Sequence, residues 1–171
     1  MFALLDADLQ NELLNALAGD EVKALLAGLS PDDRTALFEE LPAQVTQRLL
    51  AMLPESKRRE TLTLLSYPEN SVGRLMTTAY VTLRPEWSAG EAIEHVRRNG
   101  RDSETVAELY ATDERGRLVG TISLRRLILA PPESKVAQIM EPPGERGLQS
   151  LQDREEAVQI FRRFDAYALP V

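Results

Sequence analysis

The chain has 171 residues, 43% of them hydrophobic, and 27 acidic side chains against 20 basic ones give a formal net charge of −7. An acidic surface is a poor match for the nucleic-acid backbone, no apolar run reaches the ~20 residues of a membrane helix, and the lack of cysteine excludes disulfides, zinc–thiolate sites and thiol chemistry and fits a reducing compartment. The length suffices for one good core or two small ones, and the charge is uneven: 7 basic against 12 acidic residues in 1–79, then 13 against 15 in 80–171.

The opening residues, MFALLDADLQ, have neither the basic start nor the long apolar core of a secretory signal. From there leucines recur every 12 residues, at Leu17, Leu29, Leu41, Leu53 and Leu65. Further apolar residues stand three and four places before them: Leu13 and Leu14, Leu25 and Leu26, Leu37 and Phe38, Leu49 and Leu50, with Leu62 closing the series. Twelve residues at ~100° each rotate an apolar stripe by about 120° per unit, so one continuous helix cannot bury it. Pro31, Pro42, Pro54 and Pro68 punctuate the series. The pattern predicts short helices of roughly eight or nine residues, each too short to stand alone and stacked into an array. Ser30-Pro31-Asp32-Asp33 is a strong helix opening, with a capping serine, proline at the first position and acids in the first turn.

Tyr67 to Thr78 holds a proline, a polar turn and a glycine, and reads as a junction between domains or a simple connector. Tyr80 to Arg84 alternates as a strand. Ser88 suits a helix N-cap, and Ala92, Ile93 and Val96 fall on one face of a helix from Ala89 to about Asn99. Val106–Ala111 and Leu118–Ser123 read as a hairpin closed around Asp113–Gly116, where Gly116 can take positive φ. Ser123 caps a helix that buries Leu124, Leu127 and Ile128. The pattern then restarts: Leu148–Leu151 as a strand, Asp153–Phe164 as a helix and Ala168–Val171 as a strand with an open edge.

The order strand, helix, strand, strand, helix, with D-E-R-G-R-L-V-G and S-L-R, resembles a CBS domain. Taken with the Leu-Pro repeat, the Y-P-E-N-S-V-G-R-L-M-T junction, V-T-L-R-P-E-W-S and the closing A-L-P-V, the chain resembles the MgtE magnesium transporters and channels along nearly its whole length. The resemblance implies an α+β chain: an all-α helical-repeat N domain at 1–66, shorter than the family's usual one, a junction at 67–79, a β-α-β-β-α CBS domain at 80–130, and a linker and partial second CBS domain at 131–171. It further implies a piece of a longer protein, a cytoplasmic-side region that dimerises through its CBS domains and binds regulatory Mg2+ between domains. The membrane domain that such a region gates is absent from these residues, so no transport activity is expected of them alone.

By the same resemblance Asp32, Asp153, Glu155 and Asp165 fall at or near ion-binding carboxylates. Asp32 and Asp153 have a plainer explanation too, since acids in a first helical turn are favoured by the helix dipole. Magnesium takes oxygen ligands and keeps several waters, so one or two facing carboxylates suffice. CBS domains often bind adenosine nucleotides through an aspartate after S-L-R; here the string is Ser123-Leu124-Arg125-Arg126, which argues against a nucleotide and leaves at most a phosphate contact from Arg125. A helical scaffold resembling flagellar motor switch proteins, indifferent to any ion, is the alternative from another class, and a CBS nucleotide sensor is a third.

No catalytic constellation stands out, so an enzyme is not expected. His95 reads as a surface residue, Trp87 as a packing anchor, and Lys57-Arg58-Arg59 and Arg162-Arg163 as solvated helix faces. Gly116 and Gly120 lie on a hairpin and not at a phosphate-cradling turn.

Overall fold

A computed structural model describes residues 19–144 and 147–171. The first repeat unit, with Leu13, Leu14 and Leu17, lies outside the described residues.

Among the described residues, four helices make up the array: α1 (Asp20–Gly28), α2 (Pro31–Glu40), α3 (Ala43–Met52) and α4 (Glu55–Leu65). They run to 9, 10, 10 and 11 residues, slightly longer than the period suggested. The recurring leucines mark the helix ends. Leu29, Leu41 and Leu53 are C-caps in extended backbone, Leu65 ends α4, and all four pack on one core with Leu26, Phe38, Val45 and Leu49. Each extended leucine ends its helix and turns the chain, and Pro31, Pro42 and Pro54 open the next helix at N1 or N-cap. Ser30 Oγ accepts from the Asp33 N–H at 3.3 Å, as the sequence predicts.

Two expected core leucines point outward, Leu25 at 63% and Leu62 at 49% exposure. In α4 the buried residues are Thr61 and Leu64. The reason is Arg34, a fully buried cation on α2 that requires polar groups opposite it. Its Nε donates to Thr61 Oγ1 (2.8 Å), its Nη1 to the Leu29 carbonyl (3.0 Å) and its Nη2 to Glu60 Oε2 (2.6 Å). A buried guanidinium is tolerable only when paired and hydrogen-bonded, so α4 turns Thr61 inward and Leu62 out.

After the array come α5 (Val72–Leu75), β1 (Thr82–Leu83), α6 (Ala89–Asn99), a 3-10 turn (Gly100–Asp102), β2 (Glu108–Thr112), β3 (Leu118–Ser123), α7 (Leu124–Leu129), α8 (Val136–Ile139) and α9 (Arg154–Phe164). The sheet order is β1-β2-β3, with β1 parallel to β2 and β2 antiparallel to β3. The predicted strand at 80–84 contracts to two residues, and β2 starts two residues later than expected. Gly116 has φ 77°, as the hairpin demands, and Ser123 Oγ accepts from the Arg126 N–H. Ser88 and Glu91 form a reciprocal capping box on α6. Val81, Leu83, Ala92, Val96, Leu109, Ala111, Ile122, Leu127 and Val136 build the core, with Trp87 packed against it. His95 is half-buried, not on the open surface: its ring lies 4.8 Å from that of Trp87.

The second module holds α9 but no regular strand among its described residues. Leu148–Leu151 bends into a turn instead, because Ser150 and Gln152 give their carbonyls to the N–H groups of Gly73 and Val72 at 2.7 and 2.8 Å. A single bond, from the Leu148 N–H to the Pro170 carbonyl at 2.8 Å, joins the two segments expected to pair as strands. The core there is small: Val72, Leu148 and Ala157.

Candidate functional site

The candidate carboxylates sit at helix ends. Asp32 is in the first turn of α2, behind the Ser30 cap and Pro31. Its Oδ1 is enclosed by protein and has no hydrogen-bond partner. Asp153 is the N-cap of α9, and its Oδ1 accepts from the Glu155 N–H at 2.7 Å, which accounts for a short acid at that position. Glu155 is in the first turn of the same helix and lines a cleft. Asp165 is the C-cap at the other end, in left-handed backbone with φ 46° and ψ 43°. Asp153, Glu155 and Asp165 are all exposed.

Asp165 lies twelve residues on from Asp153 across this helix, and at ~1.5 Å of rise each the two stand about 18 Å apart. Asp153 and Glu155 thus lie at the start of one helix, joined by the Glu155 N–H on Asp153 Oδ1, and Asp165 lies at its other end. Among the described residues, no group of three or more His, Cys, Asp or Glu side chains converges in a way that could hold a metal ion. Any ion at these positions takes one or two carboxylates from a module, with water or a facing module completing its shell.

Two side-chain contacts among the described residues tie the array to the junction, and neither is legible in the sequence. Glu60, already bonded to Arg34, also accepts from Thr78 Oγ1. Arg74 Nε lies 3.1 Å from Glu39 Oε1, at an angle that makes it an ion pair and not a hydrogen bond. The sequence does carry one signal for the junction's docking. Ser71-Val72-Gly73-Arg74-Leu75-Met76 and Lys135-Val136-Ala137-Gln138-Ile139-Met140 repeat the pattern V-x-x-[LI]-M, and each opens with a one-turn helix.

Each of these turns docks on the start of a CBS helix. The α8 segment lies across the start of α6, with the Val136 N–H donating to the Trp87 carbonyl and the Ala89 N–H to the Ser134 carbonyl, both at 2.8 Å. The α5 segment lies across the start of α9, where the Arg154 N–H donates to the Asn70 carbonyl at 2.9 Å. The turn that precedes the first module thus seats in the second, and the turn that comes after the first module seats in the first.

A cleft of about 840 Å3 opens between the modules, with Thr78, Tyr80, Glu104, Tyr110, Arg154 and Glu155 in its wall. Tyr80 and Tyr110 meet edge to face, centroids 6.0 Å apart, and burial, with Glu108 nearby, raises the Tyr110 phenol above its ordinary pKa. Arg125 is elsewhere, on a shallow hollow with Arg126, Leu129 and Ile139. Gly120 has a packing role: a Cβ there would fall 2.5 Å from Met140 Sδ.

Residues 1–70 match the MgtE intracellular N domain and residues 72–133 match the CBS domain. The crystal structure of the cytosolic domain of the Mg2+ channel MgtE in complex with ATP superposes with a TM-score of 0.86 at 35% identity, over 99% of this chain and 69% of that one. The chain belongs to the MgtE family. The magnesium transporter MgtE of Thermus thermophilus is 38% identical over 140 residues, which are 82% of this chain and 31% of that protein. That of Bacillus subtilis is 30% identical over 171 residues, 100% of this chain and 38% of that protein. The chain thus spans about a third of the length of these MgtE relatives. The soluble part of a magnesium transporter matches with a TM-score of 0.60 at 26% identity, over 99% of this chain and 76% of that one. The expected fold, a helical N domain followed by a CBS domain, holds. These MgtE relatives are transporters and channels, not enzymes, and no helix of the described residues is long and apolar enough to cross a membrane. A scaffold built on the helical array alone leaves the CBS match at 72–133 without an explanation.

Proposed function

We propose that this chain is a cytosolic regulatory region of an MgtE-type magnesium transporter or channel, in which Mg2+ held between carboxylates of separate modules draws the modules together and closes a membrane pore carried by residues outside this chain. The observation that supports it is Asp32 Oδ1, an enclosed carboxylate oxygen with no donor. An unsatisfied buried oxygen is costly, and a divalent cation that gives up a water to coordinate it directly, once the helix start opens to it, would relieve that cost. Asp153 with Glu155 serves one ion, and Asp165, a helix length away, another. Facing carboxylates repel when no ion is bound, so the ion favours the closed arrangement and its concentration sets the population. A second copy, paired through the CBS modules, is the expected partner.

Limited proteolysis across a magnesium titration tests this, with calcium as the control. Protection of 67–78 should grow with magnesium, and Asp32→Asn, which keeps the shape and removes the charge, should shift its midpoint to at least ~10-fold higher magnesium. Cleavage unaffected by magnesium sinks the proposal.

The cleft favours a second ligand. Its tyrosine pair and its volume suit an adenine ring, and the 35%-identical MgtE structure was solved with ATP. On this reading the S-L-R-R departure matters less, because Arg125 is not in the cleft wall. Calorimetry with ATP should give saturable binding that Tyr110→Ala weakens and Arg125→Ala leaves alone; the reverse pattern restores the S-L-R string as the contact.

A further inference from the structure

The four residues of α5 divide their contacts between two parts of the molecule. Val72 is buried in the second module's core with Leu148 and Ala157, and the Val72 and Gly73 N–H groups donate to the carbonyls of Gln152 and Ser150 at 2.8 and 2.7 Å. Arg74 instead faces the array: its side chain is 10% exposed and pairs with Glu39 on α2. The turn also packs on α4. Gly73 stands between, where a Cβ would come within 2.6 Å of the Tyr67 ring and 2.8 Å of the Ser150 carbonyl. A single helical turn has no stability of its own, so its position is dictated by what grips it on each side.

The counterpart turn α8 supplies the contrast. Val136 enters a core as Val72 does, but Ala137 stands where Gly73 does, and Gln138 stands where Arg74 does. Gln138 turns back on its own turn, its Oε1 accepting from the Lys135 N–H at 3.0 Å. Thus α8 docks on one module, whereas α5 is bonded to one part and paired with another.

We propose that α5 is a coupling element: the position of the loop Ser150–Arg154 in the second module sets the position of the helical array, with Gly73 and Arg74 as positioning residues. The two contacts act in series through one short turn that is gripped on both sides, the Val72 and Gly73 N–H groups on one and the Arg74–Glu39 pair on the other. This concerns the frame, and it holds whatever ligand the carboxylates take.

Hydrogen exchange on the whole chain, without magnesium or nucleotide, tests it. Glu39→Arg sets two cations face to face. Exchange should rise about tenfold in Pro31–Glu40 and also in Ser150–Arg154, on the far side of α5, while Ala89–Asn99 stays protected. Combining Glu39→Arg with Arg74→Glu should restore both segments. Gly73→Ala should loosen the same two segments from the other side. If loosening stays on the mutated side, or the exchanged pair fails to restore protection, the coupling is absent and Arg74–Glu39 is only a local ion pair. Should Gly73→Ala also lose protection in Ala89–Asn99, the fold itself has failed in that variant, and Glu39→Arg with its reversal decides the matter alone.

Discussion

In the first CBS module Ser88 caps α6 and a linker lies across that cap; in the second, Asp153 caps α9 and the other linker lies across it. The two modules part ways beyond these helices. After α6 come two strands that bring Leu109, Ala111 and Ile122 over it, and the core holds ten buried residues; after α9 the chain makes one bond to Leu148, and the core holds three. A cap, an amphipathic helix and a crossing backbone segment are enough to place a CBS helix. The hairpin is needed to give it an interior.

The sharpest way to break this comparison is to empty each core in turn. Leu109→Ala removes a fully buried side chain and should cost about 3 kcal/mol. Leu148→Ala, in a core with only two other buried residues, should cost less, roughly 2 kcal/mol. Urea denaturation followed by the fluorescence of Trp87, which rests on the first core, reads both. Equal losses would mean that the second module is as well packed as the first.

The next contrast lies in the caps. Ser88→Ala should cost about 1 kcal/mol. Asp153→Ala should cost a similar amount, but Asp153→Asn, which still caps, should cost only a few tenths. If Asp153→Asn leaves stability alone and abolishes the magnesium response, the charge and the cap are separable roles of one residue; if neither changes, Asp153 is a cap and nothing else.

The smallest expected effect is a pH dependence confined to the first module. Backbone and side-chain hydrogen bonds from Ser88 lower the Glu91 carboxyl below its ordinary 4.5, and those from Arg117 lower Asp113 below 3.8. Both are depressed in the folded state, so they stabilise it above those ordinary values, and the contribution is lost as the pH falls through the lower folded values. Thermal melts between pH 5 and 2, about the carboxylate range, should show a shallower acid slope for Glu91→Gln with Asp113→Asn. An unchanged slope would place the acid sensitivity in other carboxylates.

These contrasts also separate what is legible in the chain from what is not. Caps are local: Ser30, Ser88, Ser123 and Asp153 each bond to an N–H within three residues, so a short string contains the whole interaction. The 12-residue leucine period works for the same reason. Arg34 is the counter-example. Its partners Glu60 and Thr61 are 26 and 27 residues away, and nothing local shows that an arginine in a repeat helix will be fully buried, so the leucine period alone puts Leu62 inside. The candidate carboxylates are legible as residues, but what each faces across a module boundary is tertiary. That Asp153 and Asp165 stand at opposite ends of one helix follows from the helix expected over Asp153–Phe164; what each faces beyond that helix does not.

Asp165 itself carries one more consequence. Its backbone is left-handed at φ 46°, the region in which glycine alone is at ease. An aspartate there gives up something on the order of 1 kcal/mol or less of folding free energy, and Asp165→Gly should be among the cheapest ways to make this chain more heat-resistant. The aspartate keeps in return a negative charge at the helix end that glycine would remove. Hardiness and that charge are alternatives at this position, and this sequence holds the second.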